Sequence, residues 1–195
     1  MMVGEAAVVV TSATNPANGH HYHLVTGAIS AENPQGGISW SEAHAFADDF
    51  ASGGNTAHLV TIGSPEEKEW LFETFPDPGF DLQSSFSFFW MGLSDRETEG
   101  SFSWVNGDPL TYTNWTGGGL PPDLTGEEDF VFLTNTSVFE PLTMRGEWND
   151  HADARLFSGA FPFSAIIEVE PIPEPAAGWF LVLGLTLFGR RQRPG

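Results

Sequence analysis

The feature that most restricts the fold is the order in which two hydrophobic periods appear. "SWSEAHAFADDFAS", Ser39 to Ser52, spaces Trp40, Ala43, Phe46, Ala47 and Phe50 at helical intervals. Ser39 stands as an N-cap with Glu42 three residues on, the arrangement of a capping box. A second helix opens at Ser64-Pro65-Glu66-Glu67, with Ser as cap, Pro in the first turn and acids at the positive end of the helix dipole. Trp70, Leu71 and Phe75 give it an apolar face, and Pro76 and Pro78 end it. Short strands surround and follow these helices: "HYHLVTG" and "HLVTI" early, then "FFWMGLSD", "DFVFL" and "SAIIEVE". Asn106-Gly107 predicts a hairpin turn between Phe102/Trp104 and Leu110/Tyr112. Helices first and short antiparallel strands later indicate an α+β domain. Residues 19–170 read as one compact unit, 1–18 as an N-terminal segment and 171–195 as a tail.

Such a unit must hold together without a covalent staple. The chain of 195 residues has no cysteine, but it carries 7 Trp and 17 Phe, which bury large areas at low rotamer cost. Its formal charge is -19. Leaving out Glu174, Arg190, Arg191 and Arg193 of the tail, 25 acids face four bases: Lys68, Arg96, Arg145 and Arg155. So acidic a domain is a poor partner for nucleic acid, because phosphate contacts need Lys and Arg. It suits a protein that binds cations, or one that merely stays soluble.

The acids gather at three places. "SDRETEG" holds Asp95, Glu97 and Glu99; "PPDLTGEED" holds Asp123, Glu127, Glu128 and Asp129; "GEWND" holds Glu147, Asn149 and Asp150. Each lies at a strand end or in a loop, and the stretch from Trp115 to Asp129 is long for a connection. Convergent carboxylates need protons or a cation, since like charges a few ångströms apart oppose ionisation. Oxygen ligands together with an Asn amide suit calcium (Ca2+), which takes six to eight oxygens, rather than zinc, which wants His or Cys. Solvated acidic loops are the plain alternative, and a carboxylate pair for glycoside hydrolysis the enzymatic one. His21 and His23 share one face of a strand, where they could hold a metal, but without a third ligand they read as structural or surface histidines; His151 either borders a ligand site or, the favoured reading, is an exposed loop residue.

The C-terminus is "PIPEPAAGWFLVLGLTLFGRRQRPG". Ala176 to Gly189 carries no charge, and Arg190, Arg191 and Arg193 follow at once. The run is short of the roughly 20 residues that span a bilayer. Pro173-Glu174-Pro175, the apolar run and the Arg cluster resemble the PEP-CTERM sorting signal of exported bacterial proteins. The resemblance implies processing by an exosortase and membrane association of the tail beforehand. "MMVGEAAVVV" at the start lacks a basic n-region and reads as a truncated or atypical export signal.

Across residues 19–170 the chain resembles a C-type lectin-like domain. "WSEAHAFA", "HLVTIGSPEEKEWL", "WMGL", "WVNGDPLTYTNW", "GEEDFV" and "GEWND" stand in that family's order and near its spacing. The resemblance implies two helices flanking small antiparallel sheets, with a long loop that binds calcium. Asp95 and Glu99 are similar to ligands of an auxiliary calcium site. Glu128 and Asp129 match the family's Glu-Asp before the core strand, and Asn149 and Asp150 match its Trp-Asn-Asp motif. By the same resemblance Asp123, Glu128, Asn149 and Asp150 would meet the carbohydrate. The chain departs from the family in two ways. Pro121 stands where the long loop usually carries Glu or Gln, and Ala47, Phe130 and Ile167 stand where the family has cysteines. A lost disulfide costs about 2–5 kcal/mol in a small domain, so apolar packing or bound calcium has to compensate.

The implied function is a non-enzymatic, calcium-dependent carbohydrate-binding module. It would be exported to the cell envelope, the cell surface or the extracellular matrix, where many copies supply avidity. A protein- or matrix-binding domain whose calcium is only structural is the second reading, and a glycosidase the third.

Overall fold

The computed structural model describes residues 7–51, 56–75, 86–119, 127–136, 146–159 and 161–171. In chain order these form β1 (Ala7–Thr14), β2 (His21–Gly27), α1 (Trp40–Ala51), β3 (Thr56–Leu59), α2 (Pro65–Thr74), β4 (Phe86–Ser94), β5 (Ser103–Trp104), β6 (Phe130–Thr136), β7 (Trp148–His151), β8 (Leu156–Phe157) and β9 (Phe161–Glu170). The main sheet runs β1-β2-β9-β4-β6-β7, with β3 and β8 paired to β9 and β5 to β4. All pairings are antiparallel except β4 with β9. The tail from residue 172 and residues 1–6 lie outside the described residues. Among the described residues no helix is long and apolar enough to cross a membrane.

Both helices start where their caps predict. Ser39 N–H donates to Glu42 Oε2 at 3.0 Å and Glu42 N–H to Ser39 Oγ at 3.3 Å, a closed capping box. Ser64 Oγ accepts from Glu67 N–H at 3.1 Å, with Pro65 in the first turn. The helices cover opposite faces of the sheet. Along β4, Phe89, Met91 and Leu93 join the α2 residues Leu71 and Phe72, while Phe88 and Trp90 join Trp40, Ala43 and Ala47 of α1. Strand β6 divides the same way: Val131 and Leu133 go to the α2 side, Phe130 and Phe132 to the α1 side. The period of two sends successive side chains into two cores. A strand buried on both faces therefore reads as a continuous apolar run rather than an alternating one.

Ala47, Phe130 and Ile167, the residues at expected cysteine positions, all lie in the α1-side core. Phe130 stacks on Trp40 with centroids 4.5 Å apart. Apolar contact stands there where the resemblance implies a covalent link. In "WMGL", Gly92 serves close packing: a Cβ there would sit 2.6 Å from Leu59 O and 2.8 Å from Val105 Cγ2.

Several expectations need correction. The folded unit does not begin at residue 19: β1 pairs with β2 from Ala7↔Gly27 to Thr14↔His21. Its exposed valines gave no periodic signal. The Asn106-Gly107 turn forms, with Gly107 N–H donating to Trp104 O, but Leu110 and Tyr112 pack against the α2-side core instead of pairing as a strand. Trp148–His151, expected at a strand end or in a loop, is strand β7.

Gly92→Ala should lower stability by about 1–3 kcal/mol through overpacking. Gly119→Ala, where a Cβ meets nothing within 4 Å, should change it by less than about 0.5 kcal/mol. Urea unfolding of the two variants measures the contrast.

Candidate functional site

The strand order β4-β6-β7 brings two of the acid clusters and part of the third to one edge of the sheet. Ser94 faces Phe130, and Phe130 faces His151. Asp95 N–H donates to Asp129 O at 3.2 Å, so "SDRETEG" and "GEED" touch through the main chain. Asp150 and Asn149 lie opposite Val131 and Phe132 on the next strand.

Asp95 is 3% exposed and Asp150 4%. Charge at such depth needs donors or a cation. For Asp95 the loop supplies the Gly100 N–H, which donates to Oδ2 at 2.8 Å; the turn itself is closed by Thr98 N–H to the Asp95 main-chain carbonyl and Ser101 N–H to the Thr98 carbonyl, each at 2.9 Å. Arg96 turns the other way, its guanidinium carbon 5.3 Å above the ring of buried Trp40. Trp40 also stacks on Phe130, the residue after Asp129. One indole thus anchors both acid-bearing segments. Glu99 is exposed, Glu127 is exposed, and Glu128 and Asp129 are half-buried. Solvent therefore screens part of the "GEED" charge.

Strand β7 is held at its start by aromatic packing. Trp148 is fully buried and meets Trp104, Tyr112 and Trp115 edge-on, with centroids 5.6–5.9 Å apart. Its N–H donates to Asn114 O, and Thr116 Oγ donates to its carbonyl. Residues 114–116, the base of the long loop, are fastened to β7 in this way. Alternation then separates Asn149 from Asp150. Asp150 is buried on the side of Trp148, while Asn149 shares the face of half-buried His151, whose ring packs on Phe132, Phe157 and Phe163. His151 is therefore not the exposed loop residue expected: its Nδ1 meets Ala152 O at 2.9 Å.

The seven candidate ligands thus have different fates. Asp95, Asp129 and Asp150 lie on neighbouring strand ends, with Glu128 beside them. Glu99 stands exposed in its own loop, and Asn149 is on the alternate face. Asp123 lies outside the described residues, as do Pro121 and Pro122. The donors are oxygens throughout, which is the chemistry a hard cation requires. Among the described residues, no three Asp, Glu or His form a metal-binding group. His21 and His23 have hydroxyl partners instead: Thr14 Oγ1 lies 2.8 Å from His21 Nδ1 and Ser12 Oγ 2.7 Å from His23 Nδ1. Burial, then the neighbouring His21, hold His23 below the usual histidine value.

Sequence reasoning missed a clamp beside the site. Arg155, four residues after His151, donates from Nε to Glu42 Oε2 at 2.9 Å and from its other arm to Glu42 Oε1, and Asp153 Oδ1 accepts from Ser41 N–H at 3.1 Å. Burial would raise the Glu42 carboxyl, but Arg155 and Ser39 outweigh it and hold it low. The capping-box Glu carried no mark in the sequence of this second, long-range partner.

A family model described as Lectin C-type domain matches residues 37–155. The chain is 34% identical over 130 residues to C-type mannose receptor 2 of Rattus norvegicus, covering 64% of this chain but only 8% of the receptor. It is 29% identical over 122 residues to the alpha-N-acetylgalactosamine-specific lectin of Patiria pectinifera, covering 63% of this chain and 66% of that protein. The crystal structure of the C-type lectin CEL-I from Cucumaria echinata superposes with a TM-score of 0.56 at 24% identity, over 77% of this chain and 89% of that one.

Arg96→Ala should cost about 0.5–1 kcal/mol, the loss of an exposed cation–π contact, and Arg96→Lys should recover part of it. Chemical denaturation of both variants tests whether the Trp40 stack anchors the loop.

Proposed function

Because the chain belongs to the C-type lectin domain family, whose model spans residues 37–155, we propose that it is a non-enzymatic, calcium-dependent carbohydrate-binding module. The observation that carries this is the row of buried and half-buried carboxylates, Asp95, Asp129 and Asp150, on the adjacent ends of β4, β6 and β7. Oxygen donors are the ligands a hard divalent cation takes, and because no three of the described acids form a metal-binding group, the long loop would have to complete the set. Glu128 adjoins the row, Asp123 would reach it from the long loop, and Asn149, on the alternate face of β7, would have to turn toward it to take part. In this reading calcium holds the loop against the sheet edge and takes two hydroxyls of a sugar in place of water. The alpha-N-acetylgalactosamine specificity of the Patiria pectinifera relative supports a sugar as the ligand class. The Pro-Glu-Pro segment, apolar run and Arg cluster would direct export, exosortase processing and retention at the cell surface or in the extracellular matrix, with the membrane a partner before processing.

A second reading has one observation in its favour. Pro121 removes an acceptor that would serve metal and sugar together. The domain would then bind protein or matrix, with calcium only ordering the loop.

Calcium should raise the melting temperature, because a ligand of the native state stabilises it by RT ln(1 + [L]/Kd), about 2.7 kcal/mol at a hundredfold excess over Kd. A melt that is the same in calcium and in EDTA removes the metal from the reading. Asp95→Asn should keep the calcium-free melting temperature within a few degrees while shrinking the calcium-induced rise. A glycan array with and without EDTA separates the two readings: EDTA-sensitive glycan binding supports the lectin. Binding that ignores EDTA, or no glycan binding, supports the matrix alternative.

A further inference from the structure

Away from the acidic edge, a buried polar cluster joins α2 to the sheet. Its centre is Glu168 of β9, 2% exposed, with Tyr22 of β2 opposite on one side and His58 of β3 opposite on the other. Four donors meet the Glu168 carboxylate. His20 Nδ1 lies 2.6 Å and Tyr22 Oη 2.9 Å from Oε1, and Thr61 N–H and Oγ1 each lie 3.1 Å from Oε2. Both of its oxygens are thus occupied as hydrogen-bond acceptors. Tyr22 Oη also lies 2.7 Å from Glu67 Oε1 on α2, and Glu67 Oε2 accepts from Gly63 N–H at 2.9 Å.

A count of protons shows that one is missing. Asn18 Oδ1 accepts from His20 N–H, so its amide nitrogen is the atom turned toward Tyr22, where it donates to Oη at 2.8 Å. The phenol has one hydrogen of its own. It cannot serve Glu168 and Glu67 together, and two carboxylates would leave a bare oxygen–oxygen contact at 2.7 or 2.9 Å. We propose that Glu67 carries the additional proton and donates it to Tyr22, which donates to Glu168, so that the three residues form a proton-dependent latch between α2 and the sheet. Every short contact at Tyr22 then has a hydrogen: Oη accepts from Asn18 and Glu67 and donates once.

The surroundings agree. Burial pushes the Glu67 carboxyl above the usual glutamate range; hydrogen bonds that Gly63 N–H and the Tyr22 phenol could give to its ionised form oppose this, and the negative charge of Glu168 adds to it. Burial and the two neighbouring acids push the Tyr22 phenol up, so it keeps its own proton. Other titratable groups around the latch are His20 ahead of β2, His58 on β3 and Glu170 on β9. His58 Nδ1 meets Leu59 O at 2.9 Å and lies 4.0 Å from Glu168 Oε2, and its Nε2 lies 3.2 Å from Glu170 Oε1. On α2 itself Lys68 pairs with Glu69 at 3.2 Å, and Glu66 is exposed.

A carboxyl raised in the folded state binds its proton there after the unfolded chain has released it. The latch is therefore complete at pH below the ordinary glutamate value and is lost as pH rises through the raised one. Each unit of separation is a tenfold change in the ratio of folded to unfolded protein.

The test uses the full chain. Carbon-13 NMR of labelled glutamate side chains follows Glu67, assigned by its loss in Glu67→Gln, while urea unfolding of both proteins is measured from pH 4 to 8. The Gln amide can donate to Tyr22 at every pH, and its oxygen can still accept from Gly63 N–H. The expected result is a Glu67 midpoint above the ordinary glutamate value. With it should come a fall in the wild-type folded ratio of about tenfold per unit of separation, absent from Glu67→Gln. A Glu67 midpoint at or below the ordinary value, or the same pH slope in both proteins, overturns the latch. If Glu67→Gln does not fold, assignment through Glu67→Asp leaves the midpoint to decide.

Discussion

Strand β9 is flanked along its length, and the rest of the domain is arranged around that fact. Its C-terminal half pairs with β2 on one side and β3 on the other, and its N-terminal half pairs in parallel with β4. The β2 partners come from the start of the domain: His21 faces Val169 and Tyr22 faces Glu168. Closing so long a chain segment costs entropy that grows only logarithmically with length, but it must be met without a disulfide. What meets it is aromatic burial. Trp40, Trp90, Trp148, Phe89, Phe132 and Phe163 are all essentially inaccessible to solvent. Ala47, Phe130 and Ile167 show how the substitution works locally. A small residue on α1 and a branched one on β9 fill one core together with a ring that stacks on Trp40. No single contact of this kind matches a covalent bridge, yet dispersion summed over a close-packed core can.

The excess of acid is handled by several different means. Glu42 has an arginine, Glu168 has four hydrogen-bond donors, and Glu127 has water. Asp95 draws on its own loop, whose backbone N–H of Gly100 turns back on it. The cost of a buried charge depends on how fully its lone pairs are engaged, so equal burial does not mean equal tension. Glu168 is engaged on both oxygens. At the β4-β6-β7 edge Asp95 and Asp150 are buried, while Glu128 and Asp129 are half-buried.

Local chemistry was legible where it acts over a few residues. Ser39 with Glu42, and Ser64 with Glu67 and Pro65, mark helix starts because a cap needs only its own first turn. The apolar run around Trp90 marks a strand, and its burial on both faces emerged only with the two helices in place. Short strands were hidden: β7 and β8 are four and two residues long, and their pairing partners are distant in sequence. Of the site, the acid clusters and their strand-end positions were readable. The alternation that turns Asn149 away from Asp150 was not, because it follows from β7 being a strand at all.

The sequence by itself determined the fold class, the two helices and their caps, the acidity, and the kind of donor available to a ligand. These are properties of residue type and of spacings within about one turn or one strand. Only the tertiary structure decided which acids are neighbours and which protons are shared. Asp95 meets Asp129, Arg155 finds Glu42, and Tyr22 stands between Glu67 and Glu168 because strands far apart in the chain pair in one register. Coulomb and hydrogen-bond energies depend on separations of a few ångströms, and no spacing along the chain encodes those.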